Sequence, residues 1–404
     1  MNGSRAADAG VSDAARLGLM YGAVFFAYGL HGPYLGVWLA SRGLTPDVIG
    51  VILSVPLLIR LVVSPSVGLV ADRTGRHGAL VLLLASVSAV AAAMLAIVTG
   101  PLAMGLAVAV MLATLQSALP LVEVIALRRV RSGAIDYGRV RLWGSWTFVA
   151  ATLIGGAAVE RLTASALGPL FVLAGFGTAL AALAISGAVS SGSASHGGDA
   201  RKRARVRVTD AVVEAARIFA NPALVLFLVG ASLVQASHAV YYAFSAVHWG
   251  KLGFSGDFIG VLWSIGVVAE IVLFARSGPV LARLGPWGLL VLGAASGVLR
   301  WTVTAFDPTG VSLIGLQALH AFTFGATHLA AIHYIARVVP DAQAGFAQAV
   351  FATLSTGVLM GGALLLSGYL YGAVAALAYL AMAGLAGVGL LAAFAARAVS
   401  APER

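Results

Sequence analysis

The chain contains no cysteine, which excludes disulfides, a thiol nucleophile and thiolate metal sites. Charge is scarce as well. Only 10% of the 404 residues are Asp, Glu, Lys or Arg while 60% are hydrophobic, whereas an ordinary soluble domain carries about 25% charged residues. Apolar stretches of about 20 residues or more recur along the chain, the length that crosses ~30 Å of hydrocarbon at ~1.5 Å per helical residue. These runs are continuous rather than alternating strips of ~10 residues, which favours helices over a barrel. Soluble enzymes, DNA-binding modules and secreted scaffolds are excluded. The sequence is that of an all-α, polytopic membrane protein.

Twelve spans are expected, at 17–39, 47–71, 79–99, 102–127, 138–159, 166–188, 221–248, 257–277, 287–306, 310–336, 344–371 and 374–396. The first is too long for a signal-peptide core and reads as a retained span. The net charge of +10 would suggest nucleic acid in a soluble protein, but here the basic residues gather at membrane boundaries. With both termini in the cytoplasm, Arg73, Arg76, Arg128, Arg129, Arg131, Arg139, Arg276, Arg283 and Arg337 fall on that side, and only Arg42, Arg161 and Lys251 fall outside. This bias sets the orientation. The run Arg201, Lys202, Arg203, Arg205 and Arg207 joins the flexible stretch Ser190 to Gly198 in a cytoplasmic, membrane-surface linker; nucleic acid is not an expected partner.

Shifting the chain by 210 positions aligns Asp47, Ile49, Gly50, Val51 and Ser54 with Asp257, Ile259, Gly260, Val261 and Ser264. At the same offset Gly68, Val70, Arg73, Gly75 and Gly78 meet Gly278, Val280, Arg283, Gly285 and Gly288. A duplication explains both. The expected organisation is a tail at 1–16, a six-helix half at 17–189, the linker at 190–220, a second half at 221–397 and a tail at 398–404. Six spans return the chain to its starting side, so the repeats are parallel about a pseudo-twofold axis along the membrane normal. Two such halves bracketing a midplane site form a transporter architecture.

Gly68, Asp72, Arg73, Gly75 and Arg76, between spans 2 and 3, resemble the loop 2–3 signature of the major facilitator superfamily, in which these residues form part of the inner gate. The second copy has Ala282 in place of Asp72, so only the first copy can act as a charged latch. A narrower resemblance, to the phenylpropionate permease family and more distantly to lactose permease, rests on DYGRVRLWGS (Asp136 to Ser145), HAVYYAFSAVHW (His238 to Trp249), LWSIGVVAEIVLFA (Leu262 to Ala275), GVLRW (Gly297 to Trp301) and HLAAIHYIA (His328 to Ala336). It implies the major facilitator fold and a proton symporter importing a small organic acid, aromatic in the narrower family.

Several polar groups lie within the spans. Arg60 and Glu270, separated by the same 210 positions, occupy equivalent depths in opposite halves, where an unpaired charge costs roughly 2.5–3.5 kcal/mol. Arg60 is the expected carboxylate-binding group and Glu270 the proton-coupling acid; the competing reading is a static ion pair. Glu123 and Arg141 flank the connection between spans 4 and 5 and can meet. In lactose permease, which YGRVRLWG resembles, the matching pair holds substrate; a structural gate pair is the alternative. Gln317, His320, Phe324 and His328 fall within roughly 80° of one face of span 10 at 100° per residue. The two histidines are candidate proton carriers, with Arg300 of span 9 as the charged neighbour that tunes them or as a structural group. His238 and Tyr242 of span 7, Phe25 and Tyr28 of span 1, and Trp263 of span 8 are the expected aromatic wall of a substrate cavity, ordinary helix packing being the alternative.

The leading expectation is a proton-coupled symporter of a bacterial inner membrane, working by alternating access as a monomer in the lipid bilayer. No cofactor or metal is called for. A sugar or nucleoside symporter and an exporter of the same fold are the alternatives, although GSWTFVAATLIGG in span 5 lacks the GP-containing exporter pattern. An enzyme or non-transporting sensor would need a nucleotide loop, paired catalytic carboxylates or an extra domain, and none is found in the sequence.

Overall fold

The computed structural model describes residues 2–189 and 220–400, with side chains for 13–186, 220–341 and 343–400. The linker residues 190–219, including the basic run, lie outside the described residues. Every regular element described is helical, as a bilayer requires of a chain that must satisfy its own backbone.

The first six helices are α1 (Asn2–Ser41), α2 (Pro46–Thr74), α3 (His77–Ile97), α4 (Pro101–Arg131), α5 (Tyr137–Arg161) and α6 (Leu167–Val189). Their ends follow local chemistry. Gly75 takes a φ of 70° and closes α2, which a side chain would resist. Asp136 caps α5 by accepting the Arg139 N–H at 3.0 Å. Arg128, Arg129 and Arg131 crowd the last turn of α4, where the helix dipole favours cations.

The remainder runs through α7 (Pro222–Ala236), α8 (Ala239–Lys251), α9 (Gly256–Ala275), α10 (Ser277–Thr304), α11 (Gly310–Ala318), α12 (Thr327–Val338), α13 (Asp341–Ala352), α14 (Met360–Val374) and α15 (Ala378–Val399). Three expected continuous spans are interrupted. Span 7 breaks at Ser237 and His238 between α7 and α8, while π turns divide span 10 at Ala321–Ala326 and span 11 at Thr353–Leu359. Gly285 (φ 61°) breaks Ser277–Thr304 into two helices, and span 9 itself starts at Pro286, one residue before the expected 287.

Nine segments among the described residues are long and apolar enough to cross a membrane, and one of them, Gln343–Val399, has 57 residues, against about 20 for a single crossing. The α1 helix and the α11–α12 pair fall outside that set. Tyrosines, glycines and His31 dilute the hydropathy of α1; in span 10 a turn at Leu319 cuts the run, and His320, His328, His333 and Arg337 dilute the part that follows.

The chain divides into two compact units, one of Met1–Leu44, Leu58–Arg205 and Gly253–Gly260 and the other of Thr45–Leu57, Val206–Leu252 and Val261–Arg404. In the first, α1 packs on α5 and α6, and α3 on α4 and α6, around Met20, Val24, Leu84, Val122 and Ile185. In the second, α15 packs on α7 and α10, and α14 on α8.

Within the second unit the first turns of α2 cross α14 with almost no side chain between them. A Cβ placed on Gly368 would stand 2.6 Å from the Pro46 carbonyl oxygen, and one on Gly50 would stand 2.8 Å from the Leu364 carbonyl oxygen. Only glycine permits this approach. A corresponding seam in the first unit brings Gly156 of α5 against Gly256 of α9, closed at its end by the Arg161–Asp257 pair at 2.9 and 3.0 Å.

Candidate functional site

The most heavily connected polar group of the second unit is Arg300, which is 0% exposed. It projects from α10, the helix that carries span 9. Its Nη2 donates to Gln317 Oε1 at 3.0 Å, and its Nη1 lies 3.1 Å from Thr323 Oγ1 and 3.2 Å from His320 Nδ1. The guanidinium also lies 4.8 Å from the Tyr241 ring centre and 4.5 Å from that of Trp301. No carboxylate is among these partners.

Donor logic fixes the protons in this network. Arginine can only donate, so His320 Nδ1 is an acceptor and the neutral ring carries its proton on Nε2. That nitrogen is 3.8 Å from Glu270 Oε2. On the other side, His238 Nδ1 is 3.0 Å from the Gln235 carbonyl, which can only accept, so His238 Nε2 accepts from the Thr323 hydroxyl at 2.9 Å. Thr323 thus donates to His238 while accepting from Arg300. The sequence reading did not single out this threonine.

The helix interruptions serve this arrangement. At the break in span 7 the His238 side chain takes up the Gln235 carbonyl, and Trp301 Nε1 donates to Ser237 Oγ at 2.8 Å. In span 10 the π turn, with its i→i+5 hydrogen bonds, offsets the ~40° by which residues four apart drift on a straight α-helix. His320, Phe324 and His328 consequently stack in a column, with ring centres 5.3 and 6.5 Å apart and interplanar angles of 13° and 10°. The expected stripe on span 10 is present and tighter than an α-helix would make it.

The aromatic wall is partly as expected. Tyr242 stacks on His238 with ring centres 5.5 Å apart, but Tyr241, which the sequence reading passed over, lies flat on Trp263 at 4.5 Å and faces Arg300. Among the described residues the buried Nε1 of Trp263 has no hydrogen-bond partner. No group of three or more His, Asp or Glu is placed to hold a metal ion among them.

In the first unit Arg60 Nη1 donates to Gln116 Oε1 at 3.3 Å and lies within electrostatic reach of Tyr28. Arg141 meets Glu123, as its spacing allowed, at 3.9 Å. Its guanidinium is 4.0 Å from the Phe25 ring centre and 5.6 Å from that of Tyr21. Tyr137 donates to the other Glu123 oxygen at 2.9 Å, a partner the sequence did not suggest. Phe25 and Tyr28 meet edge to face at 5.4 Å. In the loop motif, Asp72 pairs with His77 Nε2 at 3.3 Å rather than with an arginine, and Arg128 Nη2 approaches that same nitrogen at 3.3 Å.

A surface cavity of about 390 Å³, lined by Asn221, Trp287, Tyr334, Arg337 and Ser400, lies where α7 begins and α12 and α15 end. It contains none of the Arg300 partners.

Comparison with known proteins matches residues 15–381 to a family described as "MFS_1 like family". A protein of Escherichia coli (strain K12) described as "Probable 3-phenylpropionic acid transporter" is 30% identical over 362 residues, covering 88% of this chain and 90% of that one. The maltose permease of Geobacillus stearothermophilus is 26% identical over 354 residues, covering 87% and 86%. Among solved structures, the nucleoside transporter NupG superposes with a TM-score of 0.80 at 19% identity, covering 96% of this chain and 99% of that one.

Proposed function

Since the chain belongs to the MFS_1 like family and is a transport protein rather than an enzyme, we propose that it imports a small organic acid, aromatic in character, together with protons. In this reading twelve helices cross a bacterial inner membrane as two halves, 17–189 and 221–397, with both termini and the 190–220 linker in the cytoplasm. The basic bias of the loops supports that orientation. Alternating access of the halves to the two faces carries the substrate across.

The observation that carries the coupling is the Arg300–His320–Glu270 sequence. Arg300 forces the His320 proton onto Nε2, which faces Glu270 at 3.8 Å. An anionic Glu270 attracts that N–H and, through the ring, offsets the buried guanidinium; a protonated Glu270 does neither. The charge state of one acid is thereby transmitted to Gln317, Thr323 and His238, which share hydrogen bonds with Arg300 directly or through Thr323. His328, stacked beyond Phe324, extends the column. Within the first unit Arg60 takes the substrate carboxylate and Phe25 and Tyr28 offer surfaces for a planar group; within the second, Tyr242, Trp263 and His238 offer surfaces of the same kind. The 30% identity to a probable 3-phenylpropionic acid transporter supports this substrate class.

A sugar is the second reading. It draws on the match to a maltose permease and on Glu123 and Arg141, which offer acceptor and donor beside the Phe25 ring. Uptake of labelled 3-phenylpropionate into proteoliposomes under an inward proton gradient, with unlabelled aromatic acids and maltose as competitors, separates the two. Acceleration by outside acid and collapse with an uncoupler are expected. Uptake driven by sodium alone and indifferent to pH refutes proton coupling.

A further inference from the structure

A second cluster of titratable groups lies apart from the Arg300 network, where α8, the α10–α11 connection and α14 meet. His248, in the last turn of α8 and 7% exposed, has both ring nitrogens engaged. Nε2 is 2.7 Å from Asp307 Oδ1 and Nδ1 is 3.0 Å from the Tyr371 hydroxyl. The three groups differ in access to water. Asp307 has 41% of its side chain exposed, whereas Tyr371 is 4% exposed and stacked on Phe244 with ring centres 4.5 Å apart. A half-exposed carboxylate, a buried imidazole and a buried phenol therefore follow one another from water into the protein.

The backbone at Asp307 bears on why a carboxylate is there. Its φ is 52°, in the left-handed region, and Pro308 follows. Glycine fits such a helix-ending position without steric cost. Asp fits less well, yet it supplies the one acid that His248 meets. A hydrogen-bonded clamp would need no solvent access, and this one keeps its acidic end in water.

We propose that Asp307, His248 and Tyr371 form the site at which the protein takes up protons from the outer solution. The proposal rests on the proton-coupled reading and on the orientation given above, which places Lys251 and the end of α8 outside. Asp307 takes a proton from water and hands it to His248 Nε2. The imidazolium releases its Nδ1 proton to the Tyr371 oxygen, and the hydroxyl proton of Tyr371 moves inward, so one proton enters and one leaves. The transfer leaves the ring with its proton on Nε2, facing the Asp307 carboxylate, and the first tautomer is regained by exchange of protons with water. The Lys251 ammonium lies 5.5 Å from the Tyr371 ring centre, beside the inner end of this relay. Tyr379, 1% exposed, is within electrostatic reach of Asp307 and Tyr371 and also of Tyr241 and Arg300, and its buried hydroxyl has no hydrogen-bond partner among the described residues. It is the next hydroxyl available toward the Arg300 network.

The test uses the full chain in proteoliposomes with 3-phenylpropionate as the probe. Two conservative variants are compared with wild type: Tyr371→Phe, which keeps the ring stack, and Asp307→Asn, whose side chain also tolerates a positive φ. Three quantities are read: uphill uptake against external pH, exchange at equal pH on both sides, and melting temperature. Proton-driven uptake should slow at least about tenfold and lose its rise with outside acid, while exchange and melting temperature stay at wild-type values. A wild-type external-pH profile in both variants overturns the proposal and leaves proton coupling standing. Loss of exchange and melting temperature together with uptake also overturns it, since the cluster is then a structural clamp. A wild type that exchanges the probe but ignores the proton gradient overturns the coupling reading, and the uptake site with it.

Discussion

Replacing Gly368 by alanine puts a methyl group where the α2–α14 crossing leaves no room. The added Cβ would stand 2.6 Å from the Pro46 carbonyl oxygen and 2.9 Å from Gly50 Cα, against 3.4 Å for the onset of ordinary contact. The helices must part by about 0.8 Å, and overpacking of this kind costs about 1–3 kcal/mol. The close-packed crossing should therefore open roughly 5- to 150-fold more often. Since the chain has no cysteine, Ser54→Cys supplies a single thiol at a position that is 0% exposed and one turn beyond Gly50 on the same face. Its labelling by a water-soluble maleimide in purified protein should accelerate by that factor in the Gly368→Ala background. Gly362→Ala in the same helix is the control, because nothing lies within 4 Å of its added Cβ. Alanine there should only favour the helix, by up to about 1 kcal/mol. Equal labelling rates and equal melting temperatures for the two alanine variants would refute the argument from packing.

Glu270→Gln should retain exchange of 3-phenylpropionate and lose uphill uptake, because the amide imitates the protonated acid; uphill uptake that persists removes Glu270 from the coupling role. Arg60→Ala should weaken binding of the same acid by about 10- to 150-fold, the ~1.5–3 kcal/mol of a charge-assisted hydrogen bond, as read by calorimetry. Thr323→Val deletes the hydroxyl shared by His238 and Arg300 and should cost about 1–3 kcal/mol of stability, with Thr323→Ser restoring the wild-type melting temperature. A single cysteine at Ser132 should react in intact cells only with membrane-permeant reagents, and one at Lys251 with impermeant ones as well.

The membrane class, the helical content and the family were legible because they depend on long runs of side-chain type. Charges separated by a fixed offset were legible too, and Arg141 does meet Glu123. The interruptions were not. An apolar run has the same composition whether its carbonyls accept from i+4 or i+5, so nothing in Ala321–Ala326 announces a π turn. Thr323 was passed over because a threonine in a hydrophobic helix ordinarily bonds to its own backbone, as Thr304 does to Arg300 O at 2.7 Å. The choice of Tyr242 over Tyr241 rested on an unbroken helix through Ser237. His248, Asp307 and Tyr371 sit 59 and 64 positions apart along the chain, and only tertiary packing joins them.

The π turn of span 10 also bears on how this site tolerates insertion and deletion. Each i→i+5 ring holds one residue more than an α-helical ring, so Ala321–Ala326 carries surplus chain inside the membrane. Deleting one residue there would let the segment relax to plain α-helix, in which the two histidines stand seven positions apart and, at ~100° per residue, within ~20° of one face. His320 would keep its place against Arg300 and His328 its place in the column. The loss of a residue, which in a plain helix would rotate everything beyond it by ~100°, would here be absorbed without moving any side chain to another face, and comparison of related chains by length in this turn would sort those with the wider turn from those without it.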